Sequence, residues 1–196
     1  DAAEAAGLPA GVLNIVTGGR DTGAALVGHP DVAHVSFTGS TAGGKAVGAA
    51  CGAQLKSHTL ELGGKSAAIV APDADLDLFL GSFGQLCLAN SGQGCFLSTR
   101  VLIHRSIYSD LSDRIAAAIA AAPVGDPLDP ETMYGPLVNA ASRDRVLAYI
   151  ESGQSDGAKL LTGGGRPSHL DRGYYVQPTV FGDVTPDMRI FREEIF

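Results

Sequence analysis

The sequence predicts an α/β protein of mainly parallel sheets with crossover helices. Apolar, β-branched runs alternate with Ala-rich, helix-like segments, the order that strands joined by crossover helices produce. With 196 residues, 45% of them hydrophobic, the chain can bury a sizeable core as one large domain or two small ones.

"VLNIVTG" (12–18) reads as a short buried strand, and "DTGAALVGH" (21–29) as a helix capped by Asp21. "VAHVSFTG" (32–39) is a strand ending in a glycine turn. "TAGGKAVGAACGA" (41–53) is helix-like, its glycines weakening it by about 1 kcal/mol each. Two strand candidates, "SHTLEL" (57–62) and "SAAIVAP" (66–72), flank Gly63 and Gly64, where a domain boundary is expected, giving units 1–62 and 63–196. "DLDLFLGSFGQLCLAN" (75–90) repeats apolar residues at helical spacing with Asp73 or Asp75 as N-cap.

"TRVLIH" (99–104) is a strand and "SDLSDRIAAAIAAA" (109–122) a helix ended by Pro123. Four prolines and two glycines make "PVGDPLDPETMYGPLVN" a long ordered loop. "ASRDRVLAYIESG" (141–153) is an amphipathic helix closed by Gly153, followed by a strand "AKLLTGG" and a strand-like "GYYVQPTVFGDV" (173–184). The chain begins inside a helix-like stretch and stops at "FREEIF" without closing an element, so both ends read as cut.

Composition limits the function classes. A formal charge of −7 without runs of like charge argues against a nucleic-acid footprint or a basic membrane-binding face. No apolar stretch is of membrane-spanning length, and "DAAEAAGLPAG" has no signal-peptide pattern, so a cytoplasmic protein acting on small molecules is expected. Three cysteines, Cys51, Cys87 and Cys95, lack CxxC spacing, and the five histidines are scattered. Reduced thiols and no metal site follow.

Three stretches could carry chemistry. In "VSFTGSTAGG", Gly39 and Gly44 bracket Ser40 and Thr41 at a helix N-terminus, which offers free N–H groups and hydroxyls to a phosphate; a tight turn with an N-cap is the plainer alternative. In "LELGGKS", Glu61 sits in an otherwise apolar strand and is surface-facing, paired, or held in a cavity where a raised pKa suits a general base. Gly63 and Gly64 after it imply close backbone approach or a hinge. In "NSGQGCFLSTR", Gly92 and Gly94 let the backbone turn sharply and leave the Cys95 N–H free to face an oxyanion. Taken alone, Cys95 reads as a buried inert thiol sooner than as a nucleophile, and the inert reading is the one given to Cys51 and Cys87.

Taken together, Glu61 follows Gly39 by 22 residues and Cys95 follows Glu61 by 34. This order resembles the aldehyde dehydrogenase superfamily. "AGLPAGVLNIVTGG", "VSFTGSTAGG", "LELGGKSAAIV", "NSGQGC", "MYGPLV" and "EEIF" occur in that family's order and at its spacings. The resemblance implies the back part of a Rossmann-like coenzyme domain over 1–62 and most of an α/β catalytic domain over 63–196.

It also implies site residues. Cys95 matches the nucleophile that attacks an aldehyde to give a thiohemiacetal, whose hydride passes to nicotinamide; Glu61 matches the base that activates water on the thioester. Ser40, with the Gly39 to Gly44 turn, matches the pyrophosphate contact of NAD or NADP. Leu62 matches the carbonyl that meets the nicotinamide amide, Glu194 the carboxylate on the nicotinamide ribose, and Phe196 a side chain against that ring. A homodimer or homotetramer is implied, with the helix after Gly44 near the interface.

Gly94 and Phe96 depart from the family pattern, which more often has a side chain before the nucleophile and a smaller residue after it, so the aldehyde stays open. The family's oxyanion-hole asparagine and adenosine-ribose lysine fall before Asp1, and part of its substrate funnel and oligomerisation strand after Phe196. A polypeptide of these residues alone is expected to turn over little, since one oxyanion donor is worth about 100- to 1000-fold in rate. A CoA-acylating relative is the alternative enzyme, against which Glu61 speaks. A non-catalytic structural relative is the other, against which Cys95 and Glu61 both speak.

Overall fold

In the computed structural model, which describes residues 2–196, the chain forms two units, Asp1–Leu62 and Gly63–Phe196. The first is organised by a parallel pair, β1 (His34–Gly39) and β2 (Ser57–Leu62), joined through the helix α3 (Thr41–Ala53). Register pairs Gly39 with Leu62 and Thr38 with Glu61, so the two strands end together. Cys51, fully buried, and Gly44 face the sheet from α3. A short turn α1 (Ala2–Ala5) and the helix α2 (Arg20–Gly28) precede them. Lys56 is buried and donates to the carbonyls of Val27 at 2.8 Å and His29 at 2.7 Å. Its ammonium thereby satisfies the Val27 carbonyl that the end of α2 leaves open and shares the His29 carbonyl with the Val32 N–H.

Two expectations for this unit are corrected. Residues 12–18 form no strand: Val12, Leu13, Ile15 and Val16 are all exposed, Ile15 at 85%. A β-branched run becomes a strand only beside a ladder partner, and no other strand pairs with it among the described residues. Asp21 is not an N-cap; α2 starts at Arg20 with Gly19 as cap, and Asp21 lies in the first turn, where its charge still complements the helix dipole.

The second unit repeats the parallel arrangement. β3 (Ala67–Val70) and β4 (Arg100–Ile103) pair in parallel around α4 (Leu76–Leu88), which Asp75 caps by accepting from the N–H groups of Asp77 and Leu78. The core joins Val70 of β3, Phe83 and Cys87 of α4, and Leu111, Ile115 and Ile119 of α5 (Tyr108–Ala120). Phe79 and Phe83 meet edge-on at 5.8 Å within that layer.

Residues 123–139 form the expected ordered loop before α6 (Ala140–Ser155), capped by Asn139. A smaller cluster of Tyr149, Ala158, Met188 and Ile190 ties α6 to β5 (Lys159–Thr162), β6 (Val180–Gly182) and the short α7 (Arg189–Arg192). β5 and β6 are antiparallel, in contrast to the other two pairs. The fold is α/β.

Gly153 does not close α6. It lies buried inside it, where a Cβ would stand 2.9 Å from Ile190 Cδ1 and 3.1 Å from Phe181 Cζ; the helix ends before Gly157, whose φ is +91°. The strand over 173–184 contracts to Val180–Gly182, because Pro178 lacks a ladder N–H and Asp183 takes a φ of 53°. Among the described residues no helix is long and apolar enough to cross a membrane.

Candidate active site

The first unit gathers Gly39, Ser40, Gly44, Glu61 and Leu62 at the carboxyl ends of β1 and β2. Ser40 is the N-cap of α3: its Oγ accepts from the Gly43 N–H at 3.1 Å, which leaves the hydroxyl proton available to a ligand. Added Cβ atoms at Gly39 and Gly43 would each strike the Phe37 ring, and one at Gly44 would strike the Leu62 side chain. The glycines thus let the turn close onto Phe37 and Leu62 while an exposed Ser40 caps a 13-residue helix. Such an N-terminus favours phosphate through its free N–H groups and dipole. Of the alternatives for Glu61, the structure takes the surface-facing one, since its side chain is exposed near the end of β2.

The second unit carries Cys95, Glu194 and Phe196. After α4 the chain turns through Asn90, Ser91 and Gly92, all with positive φ (51°, 57° and 85°). Gly92 was expected to allow this; Asn90 and Ser91 share the left-handed region without a glycine, stabilised by local bonds. Asn90 Nδ2 donates to the Gln93 carbonyl at 3.2 Å and Gln93 Nε2 returns to the Asn90 carbonyl at 3.1 Å. Ser91 Oγ donates to the Gly135 carbonyl at 2.9 Å, and Gln93 Oε1 accepts from the Val138 N–H at 2.9 Å.

That turn is consequently pinned to the 135–138 segment of the long loop. Leu97, 2% exposed, anchors its other side, and Ser98 N–H donates to Leu86 at 2.9 Å. Between these fixed points Cys95 is exposed, and its N–H has no intramolecular acceptor among the described residues. Cys51 and Cys87 are buried, and burial pushes the Cys87 thiol up to about 11. Sequence reasoning missed Ser91 and Gln93 as supports. The signal was present in "MYGPLV", whose Gly135 and Val138 are their partners.

Glu194 lies against Gly63. Its carboxylate fills the space that a Cβ at residue 63 would need, so this glycine serves close approach, whereas a Cβ at Gly64 would meet nothing within 4 Å. Glu194 Oε1 is buried without a hydrogen-bond partner. A buried carboxylate oxygen left without a donor is suited to a hydroxyl from a ligand. Lys65 stands in the electrostatic field of Glu194 and of Arg100, whose guanidinium covers the Phe191 ring at 4.9 Å. Burial first, and Arg100 second, pull the Lys65 amine down to about 8, while Glu194 opposes them. Phe196 is 41% exposed, and Arg145 donates to the Ile195 carbonyl at 3.3 Å and to the Phe196 carbonyl at 3.4 Å. Among the described residues no group of His, Cys, Asp or Glu could hold a metal ion.

Two parallel βαβ units, one closing on a Ser-capped helix and the other leading to an accessible thiol on a pinned turn, define the α/β architecture of this chain. It belongs to the aldehyde dehydrogenase family, whose pattern matches residues 1–196. Similar curated proteins include a geranial dehydrogenase of Castellaniella defragrans, 52% identical over 100% of this chain and 41% of its own, and a betaine aldehyde dehydrogenase of Rhizobium etli, 50% identical over 97% of this chain and 39% of its own. Among solved structures, a Mycobacterium tuberculosis aldehyde dehydrogenase complexed with NAD+ superposes with a TM-score of 0.94 at 47% identity, covering 96% of this chain and 39% of that one. An NAD+ complex of a Bacillus cereus aldehyde dehydrogenase gives 0.85 at 44% identity, covering 89% and 35%. The chain spans about two-fifths of the length of these curated relatives.

Proposed function

We propose that this chain carries the nucleophile, the hydrolytic base and part of the nucleotide site of an NAD(P)-dependent aldehyde dehydrogenase that oxidises an aldehyde to a carboxylate. The observation that carries the reading is Cys95: an exposed thiol with a free N–H, on a turn held at Ser91, Gln93 and Leu97. Cys95 Sγ forms the bond to the carbonyl carbon and keeps the acyl group as a thioester, while the Cys95 N–H donates to the oxygen of the tetrahedral adduct. Glu61 takes a proton from the water that cleaves the thioester.

NAD or NADP, when bound, supplies the two-electron acceptor. The residues present fit it: the Ser40 hydroxyl and the first N–H groups of α3 for the pyrophosphate, with Gly39 and Gly44 closing the turn, and the unpartnered Glu194 oxygen for a ribose hydroxyl. The Leu62 carbonyl and Phe196 complete the nicotinamide side in this reading. The relatives named for betaine aldehyde and geranial leave a cationic and an apolar aldehyde both open. Phe96, 72% exposed beside the thiol, favours an apolar one. We place the protein in the cytoplasm as a homodimer or homotetramer.

The test is incubation with NAD and octanal, reading NADH, carboxylate and the acylated Cys95 peptide by mass spectrometry. The reading expects an octanoyl adduct on Cys95, with NADH and octanoate formed only at the low rate expected of these residues alone, and loss of all three in Cys95→Ala. Octanoate formed equally by Cys95→Ala overturns the nucleophile. Octanoyl-CoA appearing in the presence of coenzyme A, without octanoate, selects the acylating alternative.

A further inference from the structure

The second unit contains a cavity of ≈ 460 Å³ bounded by Lys65, Arg100, Leu88, Leu137, Phe191 and Ile195, among others. That volume lies in the range of small-molecule pockets. Its lining is mostly apolar side chains. Lys65 projects its aliphatic stem from the loop before β3, and its amine makes no hydrogen bond or ion pair with any described residue.

The other three lysines differ. Lys56 spends its ammonium on two backbone carbonyls, and Lys45 and Lys159 are exposed to water. The charged groups facing Lys65 are Arg100 of β4, which repels its proton, and Glu194 beyond α7, which attracts it from beyond ion-pair contact. Burial and Arg100 prevail, and roughly a tenth of the amine at pH 7, rising to roughly a quarter at pH 7.5, is free base.

We propose that Lys65 is a covalent capture site for apolar aldehydes, condensing through its amine with a carbonyl compound that occupies this cavity. The nitrogen lone pair adds to the carbonyl carbon and gives a carbinolamine. Loss of water then leaves an imine between Nζ and the aldehyde carbon. No redox partner is needed, and the step reverses by hydrolysis. Condensation replaces the amine with a much less basic imine nitrogen, so an aldehyde held there alters the field at the Glu194 carboxylate without touching Cys95. The role is independent of the oxidation assigned to Cys95 and stands if that assignment fails.

The experiment treats the full chain with octanal and sodium cyanoborohydride at pH 7.5 and maps the adducts by peptide mass spectrometry. Hydride reduction of the imine leaves a secondary amine whose mass gain is that of the aldehyde less one oxygen. Lys65 is expected to be trapped at least about tenfold faster than Lys45 or Lys159, a margin set by its larger free-base fraction and contracting toward pH 10. Acetaldehyde, too short to fill the cavity, is expected to lose most of that preference. Glu194→Gln, which removes the group holding the proton, is expected to accelerate trapping at Lys65 alone. Equal trapping at Lys65, Lys45 and Lys159 overturns the proposal, as does a preference identical for octanal and acetaldehyde. Mapping on the unmodified chain needs no variant to fold, and Cys95→Ala is expected to leave the Lys65 adduct unchanged.

Discussion

The carboxylate of Glu194 occupies the position that a Cβ on Gly63 would take. The two residues are 131 apart in sequence, and the absence of one side chain is what seats the other. Gly63→Ala must push the carboxylate aside. The obstructed group is the far end of a flexible side chain, so the fold is expected to tolerate the change within about 1 kcal/mol. Nucleotide affinity, in the reading that gives Glu194 a ribose hydroxyl, is expected to fall roughly 10- to 100-fold, the worth of one charge-assisted hydrogen bond. Thermal unfolding and NADH fluorescence titration separate the two effects. A large loss of stability with unchanged affinity overturns the assignment.

Ser40 carries two roles that substitution can divide. Ser40→Ala removes the acceptor for the Gly43 N–H and is expected to destabilise the protein by about 1 kcal/mol, whereas Ser40→Gly loses only a few tenths. Both variants lack the hydroxyl proton and are expected to weaken NADH binding equally. Urea denaturation beside fluorescence titration checks this, and affinities that track stability instead would reduce Ser40 to a cap.

Much of this was legible in sequence because it is local. The Ser40 cap, the Asp75 cap and the helix over 41–53 depend on residues within a turn of one another, and they appear where the pattern puts them. The strand over 12–18 and the close of α6 at Gly153 were misread for the opposite reason. A strand requires a ladder partner from elsewhere, and Gly153 answers to Ile190 and Phe181, not to the end of its own helix. Cys95 could be singled out by its glycines. Its supports could not, because Gly135 and Val138 reach it from 40 or more residues downstream.

Thiol reactivity should follow exposure. Cys95 is exposed on its turn, while Cys51 has no accessible surface and the Cys87 thiol is held near 11 by burial. Iodoacetamide at pH 7.5 is expected to alkylate Cys95 first, with Cys51 and Cys87 modified only on unfolding, since the thiolate is the reacting form. Peptide mapping over time reads the order. Equal, slow labelling of all three thiols removes the basis for a nucleophile at residue 95.

Gly153 offers a test of packing apart from the site. Gly153→Val introduces branches against Ile190 and Phe181, whose atoms already stand 2.9 Å and 3.1 Å from where a Cβ would lie, and a loss of about 1–3 kcal/mol is expected from overpacking. Gly157→Ala, at the left-handed position ending α6, is expected to destabilise through backbone strain alone. Chemical denaturation compares them. Cys95 alkylation should proceed at the native rate in both, because α6 does not hold its turn.

Lys65 gives the protein a defined alkaline dependence. Its folded-state value, about 8, lies below the ordinary 10.5, so between these limits the unfolded chain binds the proton that the folded chain has released. Stability therefore rises with pH across that window, and the penalty for the buried charge is fully present below pH 8. Lys65→Met carries no such charge. Its stability relative to the native sequence is expected to be greatest at pH 7.5 and to decline steadily toward pH 10.5, while contributions from other groups cancel in the difference. Urea unfolding of both chains at pH 7.5, 9 and 10.5 reads this directly. Differences that stay constant across the three would mean that Lys65 keeps its proton as readily in the folded protein as in the unfolded chain, and the free amine required for aldehyde capture would be lost with it.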